Sequence, residues 1–219
     1  MDDTVRRWSE QVAVAHRELI EHLGAMAAEG RADPAVPSLL PGWTQGHVLT
    51  HLARNADAFV GILAGVERGE RAEMYPGGAA ARNAAIDQGS TRHWDELVAD
   101  VTTTAAAFDA QVARQRSWDG EGTDPRGNAI AALDIPLRRL REVLVHHVDL
   151  GDAAFGAERW PDEYVREELR LQTMLWNARR PMGVTGLPPA ALAAPELTRL
   201  RWLLGRADIA GLDPAGQLP

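Results

Sequence analysis

Two pairs of residues with metal-ligating side chains recur at helical spacing in this sequence. Glu142 and His146 lie four residues apart in "RRLREVLVHHVDLGD", and His47 and His51 have the same spacing in "GWTQGHVLTHLARNADAF". In an α-helix such residues project from one face, about 6 Å apart along the axis. Each pair could therefore clamp a metal ion. Two facing helices could bring three ligands to one ion and leave a coordination position free for chemistry.

An ordinary ion pair on a helix surface is the alternative interpretation, because a carboxylate and an imidazole often pair at this spacing. His16 and His22 fall at polar or boundary positions of an amphipathic N-terminal segment, and no role is assigned to them. Apolar residues flank both of the spaced pairs: Leu140, Val143, Leu144 and Val148 around the first, and Val48, Leu49 and Leu52 around the second. Some of the polar groups are therefore expected to point inward, where a buried charge needs a partner such as a metal ion.

Four segments with helical periodicity would position these residues. Apolar side chains recur every three or four residues in segments 4–28, 44–69, 90–112 and 136–151. Thr44 is the predicted N-cap of the second segment, and Ser90 or Thr91 is that of the third. Glycine- and proline-rich stretches predict long connections, and the connection 69–89 is expected to hold a short helix over 79–87. Since no stretch alternates as a strand would, we predict an all-α fold built on a four-helix bundle.

The last third of the chain is predicted to form a smaller helical unit. Pro161 and the acidic residues after it start a fifth helix that ends before Pro181, and a last helix begins at Pro195. The stretch between them, "PMGVTGLPPAALAAP", is a predicted loop. We therefore divide the chain into a helix bundle over 1–155 and a C-terminal helical extension over 156–219.

Composition limits the classes of function. Hydrophobic residues make up 45% of the 219 residues, which is enough for a sizeable core. Asp and Glu number 31 against 23 Lys and Arg, and the net charge of -8 argues against nucleic acid or an anionic membrane as the partner. The start, "MDDTVRRWSEQ", lacks an apolar run of the signal-peptide type, and no segment approaches the length of a membrane span. We expect a cytoplasmic protein.

Cysteine is absent from the sequence, and this is its most informative count. The protein can form no disulfide, has no thiolate to offer a metal, and has no thiol nucleophile of its own. Any thiol chemistry must therefore use a thiol supplied by a cofactor.

Three blocks in the same order resemble a known family. "GWTQGHVLTHLARNADAF", "MYPGGAAARNAAIDQGST" and "REVLVHHVDLG" are similar to the mycothiol-dependent maleylpyruvate isomerase family, whose N-terminal region is a DinB-like metal-binding four-helix bundle. The resemblance covers roughly Trp8 to Phe155 and continues weakly to "LLGRADIAGL". One departure is that the isomerases carry strands between the last two helices, where this chain has its short proline-rich stretch.

The resemblance assigns roles to individual residues. The family's metal triad corresponds to His51, Glu142 and His146, with zinc as the expected divalent ion. The neighbours His47 and His147 are not ligands in the family and are expected to pack or to support the ligands. Arg82 and Asn83 are the candidate substrate-binding residues. Arg206 is a candidate catalytic residue, since an arginine after the last helix has an active-site role in the isomerases. Arg54 and Asn55 are equally compatible with structural roles.

The resemblance also implies a reaction. Rotation about the cis double bond of maleylpyruvate becomes easy once a thiolate has added to it, and a zinc-bound thiol is deprotonated near neutral pH. Mycothiol is the expected thiol, and the expected product is fumarylpyruvate. Two alternatives remain open: a mycothiol S-transferase that conjugates electrophiles, and a non-catalytic metal-binding or thiol-sensing module. A gene neighbourhood of gentisate degradation would favour the isomerase. The expected partners are small molecules, and a monomer or homodimer is expected.

Overall fold

A computed structural model describes residues 2–179 and 186–215. The chain divides into two compact units, Met1–Phe155 and Gly156–Pro219. The regular elements are the helices α1 Asp3–Ala28, α2 Gln45–Glu67, α3 Gly78–Gly89, α4 Trp94–Arg114, α5 Ile135–Asp149, α6 Asp162–Ala178, α7 Pro189–Ala193 and α8 Glu196–Leu203, and the strands β1 Glu121–Thr123 and β2 Ala129–Ala131. The predicted helical class is confirmed.

Four long helices, α1, α2, α4 and α5, form a bundle in the first unit. Helix α2 packs against α4 and α5, and α1 packs against the same two helices. Apolar stripes at helical spacing face the centre, where Val12, Leu19 and Leu23 of α1 are fully buried. Each such side chain contributes about 1.5–3 kcal/mol by leaving water. Helix α2 is buried on most of its circumference, and for this reason its polar residues His51 and Asn55 lie inside the bundle.

Polar residues at the ends of the bundle helices form hydrogen bonds that cap them. Thr44 is the N-cap of α2 as predicted, and its backbone N–H donates to His47 Nδ1 over 3.1 Å. The predicted cap of α4 was wrong: His93 occupies that position, and its backbone N–H donates to Glu96 Oε2 over 3.0 Å. Ser90 instead ends α3, because its hydroxyl donates to the Asp87 carbonyl over 2.8 Å.

A short antiparallel hairpin corrects the prediction that the chain has no strands. Strands β1 and β2 pair with Gly122 opposite Ile130. Each strand has three residues, which is too short for the two-residue alternation to be recognised in a sequence. A Cβ at Gly122 would lie 2.7 Å from the Ile62 side chain, so glycine permits the close approach of the hairpin to α2. The hairpin also fixes the segment before α3, because Met74 N–H donates to the Thr123 carbonyl over 2.8 Å.

The second unit is built on α6 and α8, which pack against each other. The Trp176 and Trp202 rings lie 5.0 Å apart between them, and Trp202 Nε1 donates to the Asp213 carbonyl over 3.1 Å. Helix α7 is an additional turn within the predicted loop, part of which, 181–185, lies outside the described residues. Among the residues that the structure describes, no helix has the length and hydropathy to cross a membrane.

Candidate metal centre

The three predicted ligands converge at the face shared by α2 and α5. His51 of α2 and Glu142 and His146 of α5 each offer one ligand atom, and these atoms lie within 4.8 Å of one another. His51 Nε2 is 2.8 Å from Glu142 Oε2, and His146 Nε2 is 3.7 Å from the same oxygen. The two imidazole rings are nearly perpendicular, at 80°, with centroids 4.5 Å apart. The arrangement resembles a tripod of two nitrogens and one oxygen.

The tripod is set into the bundle but remains open at one corner. The side chains of His51 and His146 are 3% and 6% exposed, whereas that of Glu142 is 25% exposed. The helices supply this contrast, because α2 is nearly surrounded and Glu142 lies toward the edge of the buried face of α5. Glu142 is therefore the most solvent-accessible of the three candidate ligands.

Burial and mutual contact set the protonation of the tripod. Burial, helped by the neighbouring His146, lowers the pKa of His51 to about 4, although Glu142 acts in the opposite direction. Burial by itself would raise the pKa of Glu142, but the hydrogen bond and charge of His51 and the charge of His146 bring it below its usual range. At neutral pH His51 is therefore uncharged and Glu142 is ionised. These are the forms in which histidine and glutamate bind metal ions.

The donor set fits a divalent metal ion such as zinc. Two imidazole nitrogens and a carboxylate oxygen are the ligands of many open zinc sites, which keep a fourth position for water or substrate. His146 Nδ1 lies 2.9 Å from Oδ2 of Asp149, a carboxylate with no exposed surface. In metal sites, a carboxylate behind a ligating histidine orients the ring and leaves its other nitrogen for the metal. Here the two groups are in ion-pair contact, and His146 Nδ1 makes no hydrogen bond with any residue that the structure describes. The site thus contains three buried polar side chains, those of His51, His146 and Asp149, beside the partly exposed Glu142.

Arg82 of α3 lies behind the other histidine. Its Nη2 is 3.1 Å from His51 Nδ1, and its Nη1 donates to Asn83 Oδ1 over 3.0 Å. A guanidinium only donates, so in this arrangement His51 Nδ1 accepts and Nε2 carries the proton that faces Glu142. A metal ion on Nε2 requires the other tautomer, with the proton on Nδ1. The metal ion and the Arg82 hydrogen bond therefore compete for the His51 ring.

Comparison with known proteins identifies the family. The family model described as the mycothiol maleylpyruvate isomerase N-terminal domain matches residues 12–151, more than half of the chain. The chain belongs to the mycothiol maleylpyruvate isomerase family. The predicted resemblance is confirmed, and with it the assignment to a family of enzymes.

Two solved structures of this family have the same fold. One is a crystal structure of the mycothiol-dependent maleylpyruvate isomerase, with a TM-score of 0.79 and 24% identity over 94% of this chain and 93% of that one. The other is a histidine-to-alanine mutant of that isomerase, with a TM-score of 0.78 and 23% identity over the same shares. No curated protein sequence matches significantly. The DinB-like bundle expected from the sequence is confirmed as a fold.

Tyr75 is a residue of the site that the sequence analysis missed. The Arg82 guanidinium lies 5.8 Å from the centroid of its ring, and the phenol interacts with the side chains of Arg82 and Asn55. Burial and the charge of Glu142 raise the pKa of Tyr75, so the hydroxyl keeps its proton and is available as a donor. The signal in the sequence was its position in "MYPGG", a turn within a block shared with the isomerase family.

A second missed residue, Arg139, is a fully buried cation one turn from the tripod. It donates from Nε to His16 Nε2 over 3.1 Å, and from Nη1 to the Leu52 carbonyl and Asn55 Oδ1, each over 2.9 Å. Burial lowers its pKa to about 10, so it remains charged at neutral pH. His16 is therefore a buried member of a polar network, and its assignment to a polar or boundary position without a role was wrong.

Four polar residues near the site have structural contacts: Arg54, Asn55, His47 and His147. Asn55 supports Arg139, and Arg54 pairs with Asp100 and Asp57 at 2.7 and 3.1 Å. His47 Nδ1 accepts a hydrogen bond from the backbone N–H of the cap residue at the N-terminus of α2. The buried His147 ring stacks on Phe155 with ring centroids 3.4 Å apart. These contacts agree with the packing roles expected for His47 and His147.

Arg206 lies in the C-terminal unit, just after α8. Its Nη1 donates to the Leu204 carbonyl over 2.8 Å, which makes the guanidinium part of the cap at the end of that helix. A cation at a helix C-terminus is favourable in its own right. The catalytic role of Arg206 stays a prediction.

Proposed function

We propose that this chain is a zinc- and mycothiol-dependent isomerase that converts maleylpyruvate to fumarylpyruvate in the cytoplasm. The observation that carries the proposal is the convergence of His51, Glu142 and His146 in a member of this family that has no cysteine. The tripod supplies metal ligands, and the missing thiol explains the need for a thiol cofactor.

The metal would be held by His51 Nε2, His146 Nε2 and a carboxylate oxygen of Glu142. When bound, a zinc ion lowers the pKa of a coordinated thiol, so that the thiolate forms near neutral pH. Two uncharged imidazoles and one carboxylate offset only one of the two metal charges. The coordinated thiolate would offset the second charge, so an anionic substrate would need a cationic side chain of the protein beside the metal, on a chain whose net charge is -8.

Isomerisation needs donors for the charge that moves through the substrate. When bound, mycothiol would supply a thiolate that adds reversibly to the cis double bond, which would let the bond rotate while negative charge is held on the conjugated carbonyl oxygen, and the thiolate would be released unchanged. Donors aimed at the developing oxyanion would lower this barrier.

Arg82 and Tyr75 are the donors beside the tripod that we assign to the substrate. The guanidinium of Arg82 matches a carboxylate with two parallel hydrogen bonds, which a lysine cannot reproduce. The protonated phenol of Tyr75 is suited to the developing oxyanion, because its raised pKa prevents ionisation at neutral pH. Asn83, which accepts a hydrogen bond from Arg82, would hold the guanidinium in position.

The test of the proposal is turnover of maleylpyruvate by the zinc-loaded protein. We expect no fumarylpyruvate without mycothiol, turnover when mycothiol is added, and its loss with a chelator. Turnover in buffer without a thiol would contradict the proposal. A stable mycothiol conjugate of the substrate would identify a transferase, and zinc binding with neither product would identify a non-catalytic module.

Variants of the two candidate arginines test the substrate assignment at saturating mycothiol. Arg82→Lys and Arg82→Ala should each lower kcat/KM, the latter by roughly 2–5 kcal/mol of transition-state binding, with unchanged zinc content. The same pair at Arg206 is the comparison. If Arg206 binds a carboxylate its lysine variant should also be damaged, whereas a helix cap alone would tolerate lysine.

A further inference from the structure

Asn55 lies one helical turn after the metal ligand His51, on the same face of α2. Glu142 and Arg139 share a face of α5 in the same way. His51 Nε2 is 2.8 Å from Glu142 Oε2. Beside this contact, Asn55 Oδ1 accepts a hydrogen bond from Arg139 Nη1 over 2.9 Å. A second polar contact between α2 and α5 therefore lies next to the tripod.

Arg139 determines which way the Asn55 amide is turned. A guanidinium only donates, so the amide atom that faces it must be the oxygen and not the nitrogen. Arg139 is itself held, because it also donates to the Leu52 carbonyl over 2.9 Å and to His16 Nε2 over 3.1 Å. Both Asn55 and Arg139 are buried. The Asn55 nitrogen, with its two N–H donors, therefore points away from Arg139.

The hydroxyl of Tyr75 is a partner of this amide. Burial and the charge of Glu142 raise the pKa of Tyr75, whereas side-chain hydrogen bonds with Arg82 and Asn55 act to lower it. A hydrogen bond lowers the pKa of an acid when it is donated to the atom that becomes charged. Arg82 and Asn55 are therefore both donors to the phenol oxygen, in agreement with the amide orientation that Arg139 sets.

The proton of the Tyr75 hydroxyl remains for a third group. A hydroxyl oxygen accepts with two lone pairs and donates one proton. Neither a guanidinium nor an amide nitrogen can accept that proton. With Arg82 and Asn55 donating to the oxygen, the O–H bond is directed away from both of them.

The backbone around Tyr75 is held as well. Met74 N–H donates to the Thr123 carbonyl over 2.8 Å, and Gly78 N–H donates to the Tyr75 carbonyl over the same distance. Strand β1 thus fixes the segment that carries the ring. A donor that is already in place spares the reaction the cost of ordering it.

We propose that Asn55 is a positioning residue that directs the hydroxyl proton of Tyr75 toward the substrate. This inference rests on the proposed function, in which Tyr75 donates to the developing oxyanion. Asn55 touches no reacting atom and acts through Tyr75. If the amide nitrogen were an acceptor instead, the phenol would donate its proton to that atom and the substrate would lose its donor.

Asn55→Asp is the sharpest variant. A carboxylate has nearly the shape of the amide and keeps an oxygen for Arg139, but it replaces the nitrogen donor by a second acceptor. We expect kcat for maleylpyruvate to fall about 100-fold with KM little changed, because the loss of one oxyanion donor costs roughly 10²–10³ in kcat. A merely structural Asn55 would leave kcat unchanged, since the contact with Arg139 is kept. Unchanged kcat therefore contradicts the proposal.

Gln111→Glu is the matched control. Gln111 is a buried amide of α4 whose Oε1 accepts from Arg114 Nε over 2.9 Å and whose Nε2 donates to Gln115 Oε1 over 2.7 Å. The substitution makes the same chemical change beside an arginine, but without Tyr75 as the partner. Its kcat should equal that of the wild type.

A double-mutant cycle with Tyr75→Phe tests whether Asn55 acts through the phenol. Once the hydroxyl has been removed, Asn55→Asp should lower kcat by no more than about twofold. An equal fractional loss in both backgrounds would contradict the proposal, because Asn55 would then act independently of Tyr75.

Fluorine NMR gives a readout that does not require turnover. The chain has two tyrosines, Tyr75 and Tyr164, so labelling with 3-fluorotyrosine gives two signals, which Tyr75→Phe assigns. The added charge of Asn55→Asp raises the phenol pKa by itself, so Asn55→Leu is the informative variant. Loss of the Asn55 donor should raise the pKa of Tyr75 and leave that of Tyr164 unchanged. No rise in Asn55→Leu would contradict the contact.

The outcomes separate this inference from the proposed function. If the wild type does not isomerise maleylpyruvate, the proposed function fails, and the fluorine signals still decide whether Asn55 donates to Tyr75. If the wild type is active and Asn55→Asp keeps its kcat, the inference fails while the proposed function stands. If Tyr75→Phe keeps the kcat of the wild type, Tyr75 is not the donor and the inference fails with that assignment.

Discussion

Two polar clusters lie in the same bundle, one turn apart on α5, and they differ in how their groups are matched. In the tripod, one potential ligand atom from each of His51, Glu142 and His146 lies within 4.8 Å of the other two. In the second cluster, Arg139 donates to His16, Asn55 and the Leu52 carbonyl. Both contain a buried histidine, so burial of a histidine does not identify a ligand site. Three potential ligand atoms within 4.8 Å of one another indicate one, because two imidazole nitrogens and a carboxylate oxygen can bind a single cation together.

We call the Arg139 cluster the closed network because each of its acceptors has a donor, although Nη2 of Arg139 itself makes no hydrogen bond within the described part of the chain. Arg139 has no exposed surface. The other ring nitrogen of its partner His16, Nδ1, is hydrogen-bonded to Asp109 Oδ1 at 3.1 Å. Because Arg139 donates to His16 Nε2, the proton of the neutral ring lies on Nδ1 and is donated to Asp109. The network joins α1, α2, α4 and α5, so its role is to hold the helices in register beside the tripod.

The largest effect is expected from breaking the closed network. Arg139→Met would leave His16, Asn55 and the Leu52 carbonyl without their buried donor, and should cost about 3–5 kcal/mol of unfolding free energy. Urea unfolding of the metal-free protein would measure it. The control is Arg138→Met, since that neighbouring side chain is 38% exposed and should cost about 0–1 kcal/mol. Equal losses in both variants would contradict the distinction.

Removing a tripod ligand should abolish metal binding with little effect on the fold. In His51→Ala we expect zinc to fall from about one ion per chain to near zero, with an affinity loss above 100-fold. His47→Ala is the matched control, because its ring lies one turn earlier on α2 and contacts the cap residue Thr44. Elemental analysis and circular dichroism would check both variants. Undiminished zinc in His51→Ala would refute the tripod as a metal site.

A smaller loss of metal affinity is expected from the carboxylate behind the tripod. Asp149→Asn replaces the charge that lies 2.9 Å from His146 Nδ1, and changes of this kind weaken zinc about 10- to 100-fold. Asp109→Asn makes the same chemical change beside His16, in the closed network. Competition with a chelating dye would measure both affinities. An equal loss of zinc affinity in the two variants would contradict a specific role of Asp149 in supporting the metal ligand His146.

The smallest effect concerns the pH dependence of stability through His16. Burial lowers the pKa of His16 below its ordinary value of 6.5, although Asp109 opposes the shift. The unfolded chain therefore binds the proton more readily, and stability present above pH 6.5 is lost as the pH falls toward the pKa in the folded state. His16→Gln should flatten this part of the stability profile. Unfolding curves of the metal-free wild type and variant between pH 7.5 and 5 would compare the slopes.

The sequence by itself determined the helices and the candidate ligands. Helical periodicity is a local property, so the four bundle helices and helices α6 and α8 of the C-terminal unit were predicted close to their observed bounds. The spacing of Glu142 and His146 already requires a common face of α5. The resemblance to the family selected His51 over His47, and the structure brings the selected three together. The lack of cysteine means that any thiol chemistry of this chain would use an external thiol.

Only the tertiary structure decided what depends on contacts between distant segments. The β1–β2 hairpin is stabilised by pairing of its strands and by its close approach to α2. Neither contact can be recognised in the sequence of two three-residue strands. His16, Tyr75 and Arg139 are ordinary polar residues in the sequence, and their importance arises from partners 123 positions away, as between Arg139 and His16, or from another element. Side chains at a helix boundary become buried or exposed according to the neighbouring helix, and that neighbour is chosen by packing rather than by local periodicity.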